Sequence, residues 1–134
     1  MEKRALEPED RELIEIARGA IAPCYDGEEY RHTVGCALRA ADGKIYRGVN
    51  VYSIHGTCAE PVAIGAAVMD GAREFDCIVA VRGGERGEIM PPCGNCRQIL
   101  GDYMPDCWVI VEDEEGPCKV RAKELLPFPY HAEY

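Results

Sequence analysis

The chain has 134 residues, a length that suits one domain over 1–134 built around a single core. Apolar residues at 47% and charged residues at 29% exclude a disordered, collagen-like or fibrous chain. With 15 Lys plus Arg against 24 Asp plus Glu, the net charge of −9 opposes counterion-release attraction, so neither nucleic acid nor a membrane surface is expected as a partner. No apolar run approaches the ~20 residues of a membrane span. Met1-Glu2-Lys3-Arg4 leads into an acidic segment rather than an apolar signal core, which predicts a cytoplasmic chain.

Residues 9–22 place Leu13, Ile16, Ala17, Ala20 and Ile21 at helical spacing, with acidic residues at the start that suit the helix dipole. Pro23 closes that helix. Residues 33–38 and 44–51 read as two strands around Asp42-Gly43, a dipeptide suited to the positive φ of a tight hairpin. The 61–69 segment is apolar on all sides and rich in Ala and Gly, so it predicts a buried central helix. Residues 77–81 and 108–111 are continuous apolar runs, as expected of strands covered on both faces. Between them, 95–103 carries Ile99, Leu100 and Tyr103 on one helical face. A short strand at 119–121 and a helical turn at 122–126 complete the chain. The order α, β, β, α, β, α, β predicts an α/β fold with a mixed sheet whose later strands run parallel across helical crossovers.

Eight cysteines without an export signal point to metal or catalytic use rather than a disulfide framework. Cys24, Cys36, Cys77, Cys107 and Cys118 stand alone and read as core residues. Cys58 heads Cys58-Ala59-Glu60, and Cys93 and Cys96 form a C-x-x-C; together they supply the three protein ligands of an open zinc site. Each lies at or just before the start of a predicted helix, where free N–H groups and the positive dipole end stabilise thiolates. Glu60, two residues past its cysteine, is placed to take a proton from a metal-activated water. Three other readings stand beside this one. Thr57-x-x-Glu60 could be a capping box, although Pro61 lacks the N–H such a helix would need. His55 could close a structural Cys3His site, and Cys93 with Cys96 could be a redox pair.

C-x-E followed by P-C-x-x-C is here Thr57-Cys58-Ala59-Glu60 and Pro91-Pro92-Cys93-Gly94-Asn95-Cys96-Arg97-Gln98, with Gly48-Val49-Asn50-Val51 upstream. In these motifs the chain resembles the cytidine deaminase superfamily in its all-cysteine form, and within it is similar to the blasticidin S deaminases. The resemblance implies a three-layer α/β/α fold with a five-stranded mixed sheet. It implies one Zn2+ per chain on Cys58, Cys93 and Cys96 with water or hydroxide as fourth ligand, and a homotetramer whose sites borrow residues from neighbours. The activity implied is hydrolytic deamination at C4 of a cytosine nucleoside or nucleoside-like antibiotic, with release of ammonia and Glu60 as proton carrier. Asn50 matches the family's sugar-contacting asparagine.

Departures from the family pattern bear on specificity. Tyr52 stands where ordinary cytidine deaminases carry a ribose-binding glutamate, and His32 where they carry a stacking aromatic residue. Pro61 replaces an arginine that hydrogen-bonds the thiolates, leaving Arg97 or Arg82 to neutralise them. Tyr130 in the tail matches the blasticidin S branch. Asn50, Tyr52, His32 and Tyr130 are thus the expected substrate contacts. Other outcomes are a cytidine or deoxycytidine deaminase of pyrimidine salvage, a deaminase of another amino-heterocycle, and a zinc-stabilised binding protein without turnover.

Overall fold

Side-chain alternation along two neighbouring strands sets the layers of the computed structural model, which describes residues 1–133. β1 (Val34–Ala40) and β3 (Phe75–Arg82) pair antiparallel, and their residues point to opposite sides of the sheet in turn. On one side Ala37, Cys77, Val79 and Val81 meet Leu13, Ile14, Ala17 and Ile21 of α1 (Pro8–Ile21). On the other, Cys36, Leu38 and Ile78 meet Ala63, Ile64 and Ala67 of α2 (Ala59–Met69) and Leu100 of α3 (Gly94–Tyr103). Two cores flank one sheet, which is why the strands read as unbroken apolar runs.

The sheet order is β2-β1-β3-β5-β6, with β2 at Ile45–Val49, β5 at Trp108–Asp113 and β6 at Gly116–Arg121. β3 and β5 are parallel across the α3 crossover, and the other pairs are antiparallel. Five strands follow the expected path. A sixth, β4 (Ile89–Met90), pairs with β3 at Ala80 and Val81, beyond the stretch Cys77–Ile78 where β3 pairs with β5. A 3-10 turn over Ala122–Leu125 follows β6.

Some boundaries differ from the sequence reading. The β1–β2 connection is a three-residue loop rather than a two-residue turn. Gly43 takes φ +91° and its N–H meets the Ala40 carbonyl at 3.0 Å, while Ala40 N–H meets the Lys44 carbonyl at 2.8 Å. α2 starts at Ala59, so Pro61 is its third residue. β6 begins at Gly116, three residues before the expected strand. Gly48 in β2 lets α2 approach closely: a Cβ there would lie 2.6 Å from the Ala59 carbonyl oxygen and 2.6 Å from the Ala63 nitrogen.

Two polar features complete the frame. Asp10 on α1 is fully buried, and its oxygens lie 2.7 Å from Arg39 Nη2 and 2.7 Å from Lys119 Nζ. Arg39 also donates to Asp76 at 2.7 Å, so the cluster ties α1 to three strands. Outside the last strand, Arg4 exchanges both backbone hydrogen bonds with Lys119 at 2.9 Å. Among the described residues no helix is long and apolar enough to cross a membrane.

Candidate metal centre and substrate pocket

Two helix starts converge on one side of the sheet. Cys58 is the N-cap of α2 and Cys93 the N-cap of α3, both in extended backbone; Cys96 lies in the first turn of α3. Helix N-termini carry unsatisfied N–H groups and the positive end of the dipole, so sulfur at these positions is drawn toward the thiolate form. The Cys96 N–H donates to Cys93 Sγ at 3.4 Å. Burial pulls the Cys93 thiol upward, but the amides of Cys96 and Asn95 and the two neighbouring thiols outweigh it and hold it below the ordinary value. The Cys58 and Cys96 thiols stay raised, chiefly by burial, with neighbouring sulfur and the Glu60 carboxylate adding to it.

The three sulfurs lie within 4.8 Å of one another, and Cys58 Sγ and Cys93 Sγ are 3.5 Å apart. A tetrahedral zinc with Zn–S of about 2.3 Å sets its sulfurs about 3.8 Å apart, so the donor set fits zinc in both spacing and softness. Among the described residues no histidine joins this cluster. His55 is exposed in the loop between β2 and α2, and the closed Cys3His site is not formed.

Glu60, the second residue of α2, is only 6% exposed. Burial holds its carboxyl above the ordinary value, against the pull of its own backbone N–H and the Cys96 thiol. Because the N-cap is Cys58, Thr57 lies outside the helix and donates its hydroxyl to the Cys58 carbonyl at 3.1 Å. The capping box does not form. Pro61 sits in the first turn, where no intrahelical N–H is required.

A cavity of about 380 Å³ opens in front of these groups. Cys58, Glu60 and Cys93 line it, together with Asn50, Tyr52, Val34, Ala80, Met90 and Ile54. Glu60 is the one charged residue in that lining. Asn50 directs its Oδ1 inward to the start of β1, accepting from Thr33 N–H at 2.7 Å and Val34 N–H at 2.9 Å. Tyr52 lines the cavity from its exposed rim. His32 is not part of the lining; its Nδ1 lies 2.8 Å from the Asn50 carbonyl oxygen, so it braces Asn50 from behind. Tyr130 lies elsewhere, against α3, where its carbonyl accepts from Gln98 at 2.9 Å beside a second cavity of about 420 Å³.

The expected arginines take other partners. Arg97 donates to the carbonyls of Pro92 and Leu125, and Arg82 pairs with Glu88 at 3.0 Å. Amides at the start of α3 stabilise the Cys93 sulfur in their place. The sequence reading missed Met90 because a two-residue strand leaves no periodic signal, and missed Val34 and Ala80 because their role comes from sheet register. Of the five remaining cysteines, Cys36, Cys77 and Cys107 are buried as expected. Burial raises all three thiols, Cys77 to about 12. Cys24 is exposed and Cys118 half-buried, because they fall in the loop after α1 and on the outermost strand.

Comparison with known proteins extends these observations to most of the chain. The family model for the cytidine and deoxycytidylate deaminase zinc-binding region matches residues 7–112. A blasticidin-S deaminase from Bacillus cereus is 39% identical, over 91% of this chain and 92% of its own. A cytidine deaminase from Halalkalibacterium halodurans is 34% identical over 92% of each. The crystal structure of cytidine deaminase from Burkholderia pseudomallei superposes with a TM-score of 0.74 at 31% identity, covering 90% of this chain and 98% of that one. With its cysteine trio inside the matched region, this chain belongs to the cytidine and deoxycytidylate deaminase family of zinc-dependent hydrolytic enzymes.

Proposed function

We propose that the chain is a single deaminase domain, cytoplasmic, that replaces the C4 amine of a cytosine nucleoside or nucleoside-like antibiotic of the blasticidin S type with oxygen. Water adds to the ring carbon, the C–N bond breaks and ammonia leaves. The observation that carries this reading is the buried Glu60 beside three converging thiols at the end of one cavity. Cys58, Cys93 and Cys96 would hold zinc, which when bound would supply Lewis acidity and a water of lowered pKa. The chain's own groups do the rest. Glu60 carries protons to ring N3 and to the departing amine, and its burial, which holds the carboxyl above its ordinary value, keeps it beside the reacting atoms. The start of α2 lends its positive dipole end to the same point. Asn50, braced by His32, and Tyr52 frame the rest of the substrate.

Two observations favour an antibiotic-type substrate over a plain nucleoside: the similarity to the Bacillus cereus protein, and Tyr52 where a ribose-binding carboxylate is expected. The similarity to the Halalkalibacterium protein supports cytidine or deoxycytidine as the second reading. Ammonia release from blasticidin S, cytidine, deoxycytidine and cytosine, measured in one assay with zinc-quantified protein, separates them. Blasticidin S is expected to give the highest kcat/KM; a higher value for cytidine reverses the order.

A homotetramer is part of the same reading. α2 carries no charge besides Glu60 and leaves Gly65, Ala66 and Met69 on the surface, with Met69 89% exposed. Sedimentation equilibrium is expected to give four times the chain mass, and a monomer at micromolar concentration counts against it.

A further inference from the structure

Arg97 and Gln98 follow the third cysteine directly, and both reach away from the pocket to backbone carbonyls. Arg97 donates from Nε to the Pro92 carbonyl at 2.9 Å and from Nη1 to the Leu125 carbonyl at 3.1 Å. Pro92 is the residue before Cys93, so the guanidinium holds the entry to the metal loop from inside the helix that follows it. Leu125 ends the 3-10 turn after β6. Gln98 then takes the Tyr130 carbonyl at 2.9 Å, five residues further along the tail. The 125–130 segment is thus fastened to the first two turns of α3 by adjacent side chains.

We infer that Arg97 is the positioning residue of the metal loop, and that the segment from Leu125 to Tyr130 acts as its backstop. Cys93 is held in extended backbone at the N-cap of α3, where its sulfur and carbonyl bond forward to Cys96 N–H and Arg97 N–H, and the contact on the preceding residue comes from the Arg97 side chain. The planar guanidinium supplies donors in a fixed fork, so one side chain sets the distance between the Pro92 carbonyl and the Leu125 carbonyl. A lysine offers a compact ammonium on a flexible stem there, without the rigid fork that fixes the two carbonyls relative to each other. Partners that orient metal ligands from behind are worth roughly 10- to 100-fold in metal affinity. The inference rests on zinc being held by Cys58, Cys93 and Cys96, and it is independent of which substrate is used.

Zinc affinity tests it, measured by competition with a chromophoric chelator, with thermal unfolding of the metal-free protein as control. Arg97→Ala is expected to weaken zinc binding by about 10- to 100-fold and Arg97→Lys by less, with the metal-free unfolding midpoint little changed. Gln98→Ala, which frees only the Tyr130 end, is expected to produce a smaller loss than Arg97→Ala. Zinc affinity within twofold of the parent in both Arg97 variants would overturn the inference. So would a fall in the metal-free midpoint with unchanged zinc affinity. If Arg97→Ala does not fold, Arg97→Lys decides by the same readout. A parent chain that binds zinc tightly without turning over any cytosine compound would sink the proposed substrate and leave this inference standing.

Discussion

Glu60→Gln is expected to retain its zinc and its fold while losing turnover by about 10²- to 10⁴-fold, the usual worth of a positioned general acid or base. The amide is close in size and shape to the acid, so the buried site at the start of α2 keeps its packing. It cannot accept and return a proton. The loss should fall on kcat, with KM changing little, because the carboxylate acts on the reacting atoms rather than on the body of the substrate. Metal content by atomic absorption and the unfolding midpoint of the variant complete the measurement. A variant that loses zinc or unfolds would assign Glu60 a structural role. One that keeps a tenth or more of the parent kcat would remove it from proton transfer.

Asp10→Ala carries the second large effect, on stability rather than catalysis. Removing one member of a buried ion cluster leaves charge uncompensated, at a cost of about 3–5 kcal/mol. Lys119 loses its carboxylate partner while remaining almost wholly buried, whereas Arg39 keeps Asp76. Urea unfolding reads the cost, and a loss below about 1 kcal/mol would mean that the cluster behaves like a surface pair. Acid adds a separate check. Burial pushes the Asp10 carboxyl upward, but hydrogen bonds from Arg39, Lys119 and the Glu7 amide outweigh it and hold the carboxyl below its ordinary 3.8. A carboxyl lowered by folding stabilises the native state above the unfolded value and loses that contribution as pH falls through the folded one. The parent should therefore weaken more steeply than Asp10→Asn below about pH 4.

Asp10 also marks where sequence reasoning stopped. Among the acids at the start of α1 it read as a partner of the helix dipole. Its actual partners, Arg39 and Lys119, lie 29 and 109 residues away, and only the folded sheet brings them together. Local signals fared better. Cys58, Glu60, Cys93 and Cys96 were legible because metal chemistry restricts both residue type and spacing, and the two helix starts that carry them follow from short-range pattern. The start of α2 was misplaced by two residues because proline is tolerated throughout the first turn, so Pro61 set a range rather than a point. Tyr130 and His32 were selected by resemblance alone. Their surroundings depend on where a tail packs and on a backbone carbonyl, neither of which leaves a trace in side-chain sequence.

The pairing of Arg4 with Lys119 bears on how readily a foreign strand can add to the sheet. A sheet has two outer strands, and each bare row of N–H and C=O groups invites a strand from another molecule. Here the middle of the β6 edge is already paired, Lys119 with Arg4, which leaves only short stretches of that edge on either side. The β2 edge is five residues long, carries Arg47, and is preceded by Lys44. Neither edge offers a long uncharged ladder, so strand addition and the fibrous aggregates it seeds are disfavoured.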